Sequence, residues 1–122
     1  MYDLALLRRD ARDNITFLKR MLSIFIETIP PIVDRMNEHF EKGEMDAIAT
    51  LAHKIKPTID GAGIVTLKDT IRSIENYRDK KRSPIQLKSD INRINQVIDA
   101  VIAGFKKEIE NLDMEINSSH DK

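Results

Sequence analysis

Residues 87–112 read LKSDINRINQVIDAVIAGFKKEIENL. Leu87, Ile91, Ile94, Ile98, Val101, Phe105, Ile109 and Leu112 recur three or four positions apart, with charged and amide residues between them. That period is one face of an α-helix and not the alternation of a strand. A second stripe has the same spacing: Ile15, Leu18, Leu22, Phe25, Ile29, Ile32, Met36 and Phe40. Each stripe is longer than the average globular helix of about 11–12 residues. No alternating segment competes with them. The expected fold is all-α: an antiparallel four-helix bundle with a short additional N-terminal helix.

The breakers place the remaining boundaries. Leu4 and Leu7 suggest the short opening helix, and Asp13 suits the N-cap of the first long one. Pro30 and Pro31 fall inside the first stripe without shifting its register, which predicts one kinked helix and not two. Gly43 ends it. Glu44 to about Asp60 forms the next helix, with Ile48, Leu51, Ala52, Ile55 and Ile59 on one face. Gly61 and Gly63 bracket a turn, and Ile64, Leu67, Ile71 and Ile74 mark a further helix. Arg78 to Ser83 reads as a charged loop, and Pro84 suits the first position of the last helix. The bundle is expected over 1–116, with a disordered tail over 117–122.

Composition narrows the function. Twenty Lys and Arg balance twenty Asp and Glu, so the chain lacks the basic footprint of a nucleic-acid binder. No run approaches the ~20 apolar residues of a membrane span, and no signal peptide opens the chain. Cysteine is absent, which removes disulfides and thiolate chemistry. A cytoplasmic monomer is the expected setting. His39, His53 and His120 lack the spacing of a metal motif, so no metal site is expected.

His53 stands out on a helical wheel. With Ile48 at zero, the apolar stripe stays within roughly 60°, whereas His53 falls at about 140°, Asp60 at about 120°, Ala49 at about 100° and Lys56 at about 80°. His53 therefore leaves the core face, with Lys56 one turn on, Asp60 two turns on and the small Ala49 one turn before. A neutral imidazole has a nucleophilic lone pair near neutral pH. A phosphoryl group needs such a nucleophile in line and positive charge around its oxygens. The same pattern also describes an ordinary solvated helix face.

The run Leu51-Ala52-His53-Lys54-Ile55-Lys56, followed by Gly63, Leu67 and Ile74-Glu75, resembles the histidine-containing phosphotransfer (HPt) domain family. The opening Tyr2-Asp3-Leu4 and the pairs Phe17-Leu18 and Met21-Leu22 with Phe25 resemble it too. The likeness spans about residues 2–112. It implies that His53 accepts a phosphoryl group from a receiver-domain aspartate and passes it to another, and that Lys56 helps hold it. It implies a phosphocarrier and not an enzyme. Its partners would be response-regulator receiver domains, one of them belonging to a hybrid sensor histidine kinase, with Mg²⁺ on the receiver and no cofactor on this chain. Ala49, Pro57 and Asp60 would meet the partner. Pro57 stands where the family usually has Gly, and Thr58 and Ile59 where it often has Ser. Pro57 cannot donate to the carbonyl of His53, which predicts a kink just past it. Two other readings stay open: a helical adaptor that is never phosphorylated, and a substrate domain phosphorylated directly by a kinase core.

Overall fold

The computed structural model describes residues 2–76 and 83–120. Among them every regular element is helical: α1 (Leu4–Asp10), α2 (Ile15–Glu41), α3 (Met45–Gly61), a 3₁₀ turn (Val65–Leu67), α4 (Lys68–Glu75) and α5 (Pro84–His120). The expected loop over 78–83 lies, except for Ser83, outside the described residues. Of the expected tail over 117–122, residues 117–120 continue the backbone of α5, and 121–122 lie outside the described residues. Both α2 and α4 pack against α3 and against α5, which encloses a core between the four.

Both long stripes reach that core, with local corrections. In α2, Val33 is buried and Ile32 only partly so, although the wheel puts them on either flank of the stripe, at about +60° and −40° from Leu18. In α5, Val97 joins the buried set while Ile109 is half-buried. Pro30 and Pro31 lie within a single α2. Pro57 likewise lies inside α3 without ending it.

The N-cap of α2 is Asn14 and not Asp13. The Asn14 side chain accepts from the Phe17 amide at 3.0 Å. Arg12 and Asp13 both take left-handed φ, 54° and 58°, so Asp13 is spent in the turn that delivers Asn14 to the cap. Both α2 and α3 end in the same hydrogen-bonded turn around a left-handed glycine. The Glu44 amide donates to His39 and that of Gly43 to Phe40; the Ile64 amide donates to Ile59 and that of Gly63 to Asp60. At the second turn Ile59 and Ile64 bury together, which anchors the start of the α4 segment.

Two polar contacts join the helices inside this apolar frame. Asn37 of α2 and Asn95 of α5 exchange amide hydrogen bonds at 2.9 and 3.0 Å. Asp90 of α5 is buried and accepts from Ser73 of α4 at 2.9 Å and from Gln86 at 3.1 Å.

The N-terminal arm rests on two glycines. The Asp3 amide donates to the Ala62 carbonyl at 3.1 Å, and a Cβ on Gly63 would stand 2.5 Å from the Asp3 Cβ. Tyr2 stacks edge-on to Phe105 with centroids 4.7 Å apart, and a Cβ on Gly104 would meet its ring at 2.7 Å. Gly61 has no such neighbour within 4 Å and no left-handed φ. Gly63→Ala is therefore expected to destabilise the fold by at least ~1–2 kcal/mol. Gly61→Ala should leave stability unchanged or raise it by up to about 1 kcal/mol. Urea unfolding of both variants checks the contrast, and equal effects would contradict it.

Candidate functional site

Helix α3 is held by neighbours on two sides, α2 and α4. Ile48, Ala52, Ile55 and Ile59 are each at most 1% exposed, which fixes the rotation of the helix about its axis. His53 follows Ala52 and is turned away from the core by about 100°. Its side chain is 76% exposed. Pro57 and Asp60 are exposed on the same side of α3.

Ala49 departs from the wheel. It is 5% exposed, because α4 covers that flank of α3 and widens the buried arc beyond a single stripe. Ala49 lines a depression beside His53 together with Thr50 and Glu75, and offers little surface of its own. Leu51, placed on the core face by the sequence, is only half-buried.

The residue that organises the site is Glu75, the last of α4. Ile71 and Ile74, each 1% exposed, press α4 into the core and leave the Glu75 side chain 20% exposed beside α3. Its Oε1 lies 3.0 Å from His53 Nδ1. Lys56 Nζ lies 3.4 Å from Oε1 and 3.3 Å from Oε2. Oε2 is buried and accepts no hydrogen bond. One carboxylate thus serves both the imidazole and the ammonium. The Glu75 pKa is held below its usual 4.5, first by the hydrogen bond from His53 and further by Lys56, while burial pushes the other way.

The chemistry follows from donor and acceptor roles. An ionised carboxylate only accepts, so the neutral ring donates from Nδ1. Nε2 then carries the lone pair at the exposed side of the ring. Lys56 is not a solitary cation awaiting an anion, since its charge is matched by Glu75. The sequence singles out His53 and Lys56 but gives Glu75 no role of its own. Glu75 sits 22 positions from His53, on another helix, and only packing brings them together.

A second feature lies on the opposite flank of α3. An apolar groove of about 280 Å³ is lined by Leu7 of α1, by Met21, Ile24 and Phe25 of α2, and by Thr58 and Gly61 of α3 among others. Ile24 stays 45% exposed at its edge. Another histidine, His39, lies 3.3 Å from Glu44 across the turn between α2 and α3. Among the described residues no cluster of His, Asp and Glu is placed to hold a metal ion, and no helix is long and apolar enough to cross a membrane.

A family model described as Hpt domain matches residues 20–113, well over half of the chain. No curated protein and no solved structure matches it.

The ionised Glu75 favours the fold above pH 4.5, and its contribution is lost as the pH falls through its lowered value. A ¹³C titration of the Glu75 carboxyl should give a midpoint below 4.5. His53→Ala and Lys56→Met should each raise that midpoint. A wild-type midpoint at or above 4.5 would contradict the shared-carboxylate geometry.

Proposed function

Because the chain belongs to the Hpt domain family, whose members are phosphocarriers working with receiver domains in phosphorelays, we propose that His53 is its phosphoryl acceptor. The observation that carries this reading is the Nδ1–Glu75 bond at 3.0 Å on a ring that is 76% exposed. It fixes the ring in the tautomer that presents Nε2 to a partner. The four core helices α2 to α5 are read as an antiparallel four-helix bundle, supported by the packing of α2 and α4 on both α3 and α5.

In the proposed transfer, the Nε2 lone pair attacks phosphorus in line with the leaving carboxylate oxygen of the receiver aspartate. The N–P bond forms as the P–O bond breaks, and that electron pair stays on the carboxylate. Nδ1 keeps its proton throughout. The ring becomes cationic, and the charge-assisted bond to Glu75 supports it. Onward transfer reverses these steps, and the ring departs as neutral imidazole because Nδ1 is already protonated. Lys56 supplies positive charge for the phosphoryl oxygens. Mg²⁺ is assigned to the receiver.

The receiver is placed over the exposed side of α3 that carries His53, Pro57 and Asp60, with one edge reaching the groove beside Gly61. The groove lies roughly one to two helical turns past His53, within the reach of one docking surface. Its apolar lining suits an apolar side chain of the partner, which fits brief association without a strong field in a chain of zero net charge.

The test is transfer from a pre-phosphorylated receiver domain to wild type and to His53→Gln. Wild type should acquire an acid-labile label and the variant none. Absence of label on wild type with several receivers would favour the helical adaptor. Label obtained only with a kinase core and ATP would favour a kinase substrate domain.

A further inference from the structure

We propose that Lys56 exchanges partners when His53 is phosphorylated, leaving Glu75 for the phosphoryl oxygens, and that Glu75 thereby limits what Lys56 contributes to holding the phosphoryl group. This rests on the carrier reading and adds the regulation of that same site.

Lys56 Nζ lies 3.3 and 3.4 Å from the two oxygens of Glu75, so its charge is already committed. Its side chain is 32% exposed, so the pair is partly desolvated and held by more than a fluctuating surface contact. Glu75 Oε1 also meets His53 Nδ1, which ties the carboxylate to the ring. Oε2 is buried with no hydrogen bond, and departure of Lys56 strips it of its neighbouring cation.

The charge tally gives the direction. Before phosphorylation the neutral ring, the ammonium and the carboxylate sum to zero. Afterwards the ring carries one positive charge and the phosphoryl group two negative ones, so the cluster is left with one net negative charge. One ammonium then faces two anionic claimants. Whatever Lys56 gives to the phosphoryl group it withdraws from Glu75, and the net hold is the difference.

The coupling is measurable without a known partner. Phosphoramidate phosphorylates imidazole directly: the Nε2 lone pair forms a new P–N bond, the donor P–N bond breaks, and its electron pair leaves on ammonia. Wild type, Lys56→Met, Glu75→Gln and the double variant are equilibrated with a fixed phosphoramidate-to-ammonia ratio, and phosphohistidine is counted by intact mass. With Glu75 in place, Lys56→Met should lower the ratio of phosphorylated to free protein less than twofold. In the Glu75→Gln background the same substitution should lower it by about two- to fivefold more, the range of a partly exposed ion pair. An equal factor in both backgrounds would overturn the exchange. Lack of phosphohistidine on wild type would instead overturn the carrier reading, as would label that persists in His53→Gln. A readout without substitutions guards against misfolding: the ¹⁵N signal of the Lys56 ammonium in wild type should shift on phosphorylation, and an unchanged signal rejects the proposal.

Discussion

The burial of α3 on two flanks governs the rest of the site. Ile48, Ala52, Ile55 and Ile59 are almost fully withdrawn from water, and Ala52 is small enough to let the helix sit deep. Each buried aliphatic side chain contributes roughly 1.5–3 kcal/mol towards that placement. No rotation of α3 is compatible with those burials except the one that turns His53 outward and Lys56 towards α4. The reactive geometry is therefore not held by the reactive groups. It is inherited from apolar packing, while His53, Glu75 and Lys56 add only the final alignment.

This division explains what the sequence discloses. Helical period and breakers reveal the two long stripes, the opening helix, the continuity of α2 through Pro30 and Pro31, and the exposure of His53. These are properties of one helix at a time. Features that need two helices at once are hidden. Ala49 is covered only because α4 lies there, and the wheel has no knowledge of α4. Glu75 reaches His53 from another element, so helical period does not link them; the family resemblance includes Ile74-Glu75 but gives the glutamate no role. The Asn14 cap is missed by one residue because the preceding turn uses two left-handed residues in succession, a backbone choice that Arg12 and Asp13 do not advertise.

The N-terminal segment ties the groove to the core. Leu7 lines the groove, while Tyr2 and Asp3 fasten the start of α1 to α5 and to the end of α3. Phe105 meets both Tyr2 and Phe25 in edge-to-face contacts, with centroids 4.7 and 5.0 Å apart. Phe25 itself lines the groove. A continuous aromatic contact thus runs from the first described residue to the apolar surface beside α3. Gly63 and Gly104 are small for the same reason: each leaves room for one residue of the arm.

The amide exchange between Asn37 and Asn95 has a different kind of consequence. An isoleucine-rich interface is nearly degenerate. Moving one long helix by a turn brings another aliphatic residue into almost the same place, with little change in energy. Two mutually satisfied amides are single-valued. Any such slip breaks both bonds of this half-buried pair. Apolar residues thus provide most of the cohesion, whereas two asparagines supply uniqueness, selecting one native alignment from several that the aliphatic surface alone would tolerate.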